Sequence, residues 1–290
     1  MADALAPRAA RVTRLRLAFS PSGWLLTAVM AFFVVNVLAL VVSVVFSSFA
    51  SSWFATPVPG GWTTRWYRFA ATTFQLFDVL VVTAQVSAAV MAISLVVGAP
   101  AAYVLARRTF PGKRALLLLF LLPILVPPIT YGIPLATVLY KFNLAGSLRG
   151  VILANLVPAL PFVIFVLTPF IEQIDENVER AARMCGASTW RVFSRVLAPL
   201  CIPGLLAAGL MVLVRVLAMF ELTFLTAGPG DQTLVVALYY SVFAAGIRPA
   251  QAIDAMAVIY MLTTFVPLLI ALRFINPTQM VVRRKREAAA

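Results

Sequence analysis

The sequence predicts an all-α polytopic membrane protein with six transmembrane helices. Three observations carry that expectation. Of the 290 residues, 62% are hydrophobic and only 11% are charged, whereas soluble domains are about half apolar and about a quarter charged. Six apolar stretches recur along the chain, each long enough to cross a bilayer. Lysine and arginine gather at alternate junctions between those stretches.

A bilayer core takes about 20 apolar residues per helix. The candidate spans are 23–48, 79–105, 115–140, 150–171, 201–226 and 252–275. Residues 1–22 form a basic leading segment with Arg8, Arg11, Arg14 and Arg16, and 276–290 form a basic tail. The run 23–48 is far longer than a signal-peptide core of about 7–15 residues, and Ser47-Ser48-Phe49-Ala50 makes no convincing cleavage site. It reads as a retained first span. Pro123, Pro127-Pro128, Pro158 and Pro161 interrupt later spans, which is tolerated where helices pack on one another or line a pathway.

Orientation follows from the basic residues. With the N-terminus cytoplasmic, the inside segments hold seventeen: the four leading arginines; Arg107, Arg108, Lys113 and Arg114; Arg180, Arg183, Arg191 and Arg195; and Arg273, Arg283, Arg284, Lys285 and Arg286. The outside segments hold five: Arg65, Arg68, Lys141, Arg149 and Arg248. That bias predicts both termini in the cytoplasm. It also puts Trp53, Trp62, Trp66 and Tyr67 in the first external segment, where interfacial aromatics belong.

Several function classes are disfavoured. The net charge is +13, but the basic residues flank apolar spans and form no stripe beside aromatics, so nucleic-acid binding is not expected. There is no histidine, and Cys185 and Cys201 are too few for a disulfide framework or metal cluster. No phosphate-binding Gly-rich loop, metalloprotease motif or catalytic pair is present. No catalytic or metal-ligating residues are therefore expected. Matching broken helices in two halves, as in inverted-repeat secondary transporters, are not found. One membrane domain over 23–275 is the simplest organisation.

Loop 172–199 stands apart. It holds Glu172, Asp175, Glu176 and Glu179, four of the ten acidic residues. Asp175 and Glu176 suit the positive end of a short helix. Ala181 and Ala182 are strong helix formers that let another surface come close. Gly186 suits a left-handed helix stop, and Ser188 an N-cap for a second helix through Trp190 and Phe193. Pro199 is expected to break that helix before the next span. The result is a helix–turn–helix outside the bilayer, with Val178, Ala182, Cys185, Trp190 and Phe193 available for apolar contacts.

The run Arg180-Ala181-Ala182, three residues, Gly186, nine residues, Val196, one residue, Ala198-Pro199 resembles the cytoplasmic EAA loop of ABC-importer permeases. That loop reads Glu-Ala-Ala, three residues, Gly, nine residues, Ile, one residue, Leu-Pro. The resemblance extends over about 70–275, through Gly98-Ala99-Pro100-Ala101-Ala102-Tyr103 with Arg107-Arg108 and Phe110-Pro111-Gly112, Leu122-Pro123 with Val126-Pro127-Pro128, and Gly150-Val151-Ile152-Leu153-Ala154 with Leu160-Pro161-Phe162. Two positions depart from the pattern. Arg180 replaces the leading Glu, with Glu179 one residue early, and Ala198 replaces the Leu before Pro199.

The resemblance implies the MetI-like ABC permease fold and transport by alternating access. Its ATPase-coupling residues would be Glu179, Arg180, Ala181, Ala182, Gly186, Ala187, Ser188 and Pro199, with Arg180 facing an acid on the ATPase. It implies two ATPase subunits that carry ATP and Mg, a second and related heteromeric permease subunit, and an extracytoplasmic solute-binding protein. No cofactor is expected on this chain and no catalysis by it. The location implied is the bacterial inner membrane, in contact with lipid. The segments look most similar to the spermidine/putrescine and ferric-iron branch, which suggests a polyamine or similar small polar solute. Ferric iron, a sugar or an opine-like compound are the alternatives, as is an ATPase-independent secondary transporter.

Charges within the spans are candidates for the solute pathway, because an uncompensated charge at the bilayer centre costs about 2.5–3.5 kcal/mol on insertion scales. Arg215 and Glu221 lie in or near the fifth span and Asp254 early in the sixth. Each also has a structural reading, as a charge pair, a snorkelling side chain or a helix-terminal acid. Gly228-Pro229-Gly230-Asp231-Gln232 reads as an external turn.

Overall fold

Helices account for the chain because its apolar runs leave every backbone polar group to be satisfied within its own segment. The computed structural model describes residues 21–53, 58–243 and 249–274. The leading arginines, Arg248 and the tail 276–290 lie outside the described residues. In chain order the helices are α1 (Pro21–Phe49), α2 (Arg65–Thr73), α3 (Leu76–Arg107), α4 (Lys113–Leu125), α5 (Pro128–Lys141), α6 (Leu148–Glu172), α7 (Glu176–Met184), α8 (Thr189–Leu217), α9 (Glu221–Thr226), α10 (Leu234–Phe243) and α11 (Ala250–Phe274). Among the described residues the one β contact is an isolated bridge, Ala50 to Trp62.

Among the described residues, five single helices are long and apolar enough to cross a membrane: α1, α3, α6, α8 and α11. The third predicted span is not one straight helix. It is the pair α4 and α5, bent by 100°. Pro127 and Pro128 explain the break, since Pro128 has no N–H to donate back and Pro127 holds extended backbone ahead of it (ψ 133°). The fifth predicted span also ends earlier than expected, at Leu217, and Glu221 opens the short α9.

The chain divides into two compact units. The smaller comprises residues up to Tyr67 with Pro249–Val258. Within it the Trp66 indole N–H donates to the Ala50 carbonyl at 2.6 Å, and Ser48 and Tyr67 share a hydrogen bond of 2.8 Å. Helix α1 presents Trp24, Phe32, Phe33 and Leu40 outward, as expected of a span whose solvent is lipid or another membrane subunit.

The larger unit comprises Arg68–Arg248 with the chain from Ile259 on. Helices α3, α6 and α8 pack together around Val86, Val90, Ala102, Val151, Ala159, Val163, Leu167, Ala208 and Val212. Small residues at these contacts let helix backbones approach where lipid gives no hydrophobic drive to associate. Gly98 shows how close the approach is. A Cβ there would sit 2.7 Å from Val163 Cγ1.

Candidate coupling loop and solute pathway

Local sequence chemistry builds α7. The Asp175 carboxylate accepts the Asn177 N–H at 2.9 Å and caps the helix. Glu176 and Glu179 fall in its first turn and Arg183 in its last, matching the helix dipole at both ends. The C-terminus closes by a paired motif in which Gly186 N–H donates to the Arg183 carbonyl (2.9 Å) and Ala187 N–H to the Ala182 carbonyl (3.1 Å). That closure needs a left-handed residue, and Gly186 supplies it at φ +80°. Ser188 then caps α8, accepting the Arg191 N–H at 3.4 Å.

Pro199 departs from expectation. It does not break the chain ahead of the fifth span, because α8 runs without interruption from Thr189 to Leu217. A π-turn over Phe193–Leu197 absorbs it, with Ala198 N–H reaching back to the Phe193 carbonyl. The widened turn makes room for a ring that would clash with an ordinary helical carbonyl and leaves Pro199 no donor to supply.

The two faces of α7 differ in kind. Glu179 points inward, its side chain only 5% exposed, and pairs with Arg107 at the end of α3 (Nε to Oε1, 2.6 Å). Its second oxygen accepts from the Tyr103 hydroxyl at 2.9 Å and lies 3.7 Å from Arg183. Arg107 also donates to the Ile174 carbonyl at 2.7 Å, and Arg183 to the Tyr103 hydroxyl at 3.2 Å. The Tyr103 ring meets Phe193, which stacks on Trp190. A buried carboxylate is tolerable only with such partners. The sequence grouped Glu179 with the outward coupling residues; the structure turns it into the bundle, one residue step being about 100° of rotation.

The outer face carries Arg180, Ala181 and Met184, all exposed. Arg180 pairs with Glu176 at 3.1 Å, both side chains more than half exposed. Such a surface i,i+4 pair contributes about 0.3–0.5 kcal/mol and exchanges readily for another partner. Trp190 is exposed nearby in sequence, while Ala182, Ala187 and Phe193 are half-buried.

In the larger unit, Arg215 lines a narrow cleft between α6 and α8 with Asn155, Pro158, Ala159, Val212 and Met219. Its guanidinium lies over the Phe162 ring at 4.9 Å. The Asn155 amide nitrogen donates to the Val151 carbonyl (2.8 Å) and to Thr223 Oγ1 (3.2 Å). Its carbonyl oxygen is buried with no protein partner among the described residues. Among those residues Arg215 and Glu221 form no ion pair. Asp254, in the smaller unit, accepts a hydrogen bond from the Ser47 hydroxyl.

Sequence reasoning missed Asn155, Tyr103 and Arg107 as site residues. Asn155 was detectable as the one asparagine inside the fourth apolar run. No group of His, Cys, Asp and Glu that could hold a metal occurs among the described residues.

Residues 94–280 match the family described as binding-protein-dependent transport system inner membrane component. The trehalose transport system permease protein SugB of Mycobacterium tuberculosis is 38% identical over 122 residues, 42% of this chain and 44% of that protein. The molybdate/tungstate transport system permease protein WtpB of Thermococcus kodakarensis is 31% identical over 175 residues, 60% of this chain and 70% of that protein. A solved bacterial ABC transporter that imports the acidic polysaccharide alginate contains a chain of the same fold, with TM-score 0.70 and 17% identity over 88% of this chain and 96% of that one. None of these three is a polyamine permease, and the spermidine/putrescine branch gains no support from them. The family match covers more than half of the chain and the whole of the capped loop, so this chain belongs to the binding-protein-dependent inner membrane components, the permease subunits of ABC importers.

Proposed function

We propose that this permease drives alternating access through loop 172–199, with α7 seated on an ATPase subunit that binds the ATP and Mg. The supporting observation is a nine-residue helix capped at both ends, fixed to the bundle by its inner face and bare on its outer face. On this reading Arg180, Ala181 and Met184 meet the ATPase, and Gly186, Ala187 and Ser188 set the angle at which they do so. The chain itself carries no hydrolytic site. Its partners are two ATPase subunits, a related second permease subunit and an external solute-binding protein. Both termini face the cytoplasm, as the basic-residue bias favours.

For the solute, the polar groups lining the cleft, which at about 10 Å³ must open to admit any solute, favour an oxygen-rich compound, a sugar or an oxyanion, over a polyamine. Arg215 would donate to oxygen and the free Asn155 carbonyl would accept from a hydroxyl. A polycation would meet Arg215 as a like charge. The trehalose and molybdate/tungstate relatives support the same choice.

Ala181→Asp tests the docking role. It adds a carboxylate to an exposed helical position without touching the core. Loss of co-purifying ATP hydrolysis, with membrane yield unchanged, is the expected result. Undiminished ATPase association would remove α7 as the docking element.

A further inference from the structure

We propose that the Arg107–Glu179 pair, buttressed by Tyr103, is a rigid joint that delivers the displacement of α7 to α3, which makes Glu179 a positioning residue for energy coupling. The inference rests on the permease reading above and adds the route by which movement leaves the coupling loop.

Helix α7 has only nine residues. It joins α6 through the short link Gln173–Asp175 and α8 through a turn hinged on Gly186. The first turns of α8 contain the π-turn over Phe193–Leu197, a weak point in a helical ladder. A push passed along the chain into α8 would therefore be taken up in part at that turn.

The side-chain connection is stiffer. Arg107 holds Glu179 of α7 at 2.6 Å and the Ile174 carbonyl of the α6–α7 link at 2.7 Å. Tyr103, one turn earlier on α3, holds the other Glu179 oxygen at 2.9 Å. Two residues of α3 thus clamp both oxygens of one buried carboxylate. Charge-assisted bonds in a dry site are short and directional, so they resist rotation as well as separation.

Helix α3 can carry what it receives. It is one helix from Leu76 to Arg107, with Pro100 one turn before Tyr103, and its packing along α6 and α8 through the main core braces it on both sides of that proline. Toward its far end Thr83 accepts the Leu234 N–H at the start of α10. Thr83 and Arg107 are separated by about 36 Å of helix at about 1.5 Å per residue. The joint therefore connects the coupling loop, through one rod, to a short apolar helix at the opposite end of the unit.

If the pair were only a folding staple, weakening it would lower stability and leave transmission intact. The assembled transporter, purified with its ATPase subunits, separates the two. One spin label goes on the native exposed thiol of Cys185 and the other on Arg108→Cys, Cys201 being buried. In the parent chain the label separation should stay constant between nucleotide-free and ATP–vanadate-trapped states, because a close-packed interface is barely compressible. A change of several Å there overturns the joint whatever any variant does.

The second measurement reads transmission. An environment-sensitive probe at Val242→Cys, in a Cys185→Ser background, should respond to ATP–vanadate in the parent. E179Q and Y103F should diminish that response several-fold while the complex stays assembled, and the swap R107E/E179R should recover part of it. A full response in assembled E179Q overturns the proposal even if its melting temperature falls. A parent complex with no nucleotide response at all would instead overturn the importer reading on which the joint depends.

Discussion

The Arg215 guanidinium sits 4.9 Å from the Phe162 ring centroid, and so pairs a charge on α8 with an aromatic face on α6. The contact contributes about 0.5–2 kcal/mol depending on how dry it is. It leaves the guanidinium N–H groups beside the cleft that Asn155 also lines. Arginine is therefore held without being neutralised by a carboxylate among the described residues. If it meets solute oxygen, Arg215→Met should lower uptake about 10- to 100-fold, the equivalent of a charged hydrogen bond of about 1.5–3 kcal/mol. Arg215→Lys should lose less. Uptake of labelled trehalose, molybdate and spermidine by cells expressing the complete transporter checks this, and spermidine is expected to be refused by the parent.

The Arg107–Glu179 pair gives a stability prediction separate from its role in coupling. Glu179→Leu strands a buried guanidinium, and breaking a buried pair from one side costs about 3–5 kcal/mol. Replacing both residues with leucine removes the stranded charge together with its partner, and such double replacements are often neutral. The double variant should therefore melt close to the parent and the single variant far below it. Thermal unfolding of the purified chain in detergent decides the matter. Comparable losses in both would mean that the stranded guanidinium is not the main cost, which would then lie in the lost bonds to Tyr103, Arg183 and the Ile174 carbonyl.

Gly186 supplies the left-handed residue that closes α7. A side chain in that region costs about 1–2 kcal/mol. Open space surrounds the position, so strain, not collision, is the whole effect of Gly186→Ala. Amide exchange at Gly186 and Ala187, whose N–H groups close the cap, should accelerate about 5- to 30-fold, with the α3, α6 and α8 core unchanged. Gly186→Asn should fall between, because asparagine tolerates the conformation better.

What was legible in the sequence was local. Asp175, Gly186 and Ser188 act within four residues of themselves, so their caps could be read from spacing alone. The apolar runs announced their helices for the same reason. The direction of Glu179 could not be read, because its partner Arg107 lies 72 positions away and only the packing of α3 against the loop brings them together. The proline signals were ambiguous for a different reason. Pro127-Pro128 produced a 100° bend, whereas Pro199 was absorbed in a π-turn. Composition does not distinguish those outcomes, since each depends on whether the carbonyl one turn earlier can be displaced. Asn155 was visible as a polar residue in an apolar run, but its meeting with Thr223 needed the short helix α9 after Leu217, where the sequence suggested a continuous span.

The Gly98–Val163 contact tests whether close packing of α3 on α6 sets the geometry of the core. A Cβ at Gly98 would lie 2.7 Å from Val163 Cγ1 and 3.0 Å from its Cβ, inside the distance that real side chains accept. Neither atom is the far end of a flexible chain, and Val163 is fully buried, so the helices must part. Gly98→Ala should therefore destabilise by about 1–3 kcal/mol, the usual range for overpacking. Val163→Ala alone leaves a small cavity and should also destabilise. Combined, the two changes fill and vacate the same space, and the double variant should be more stable than the sum of the single losses predicts, by about 0.5–3 kcal/mol of coupling. Thermal unfolding of the four proteins of that cycle is the measurement. Strict additivity would mean that the helices separate freely at Gly98, and the contact would then have no part in holding α3 against α6.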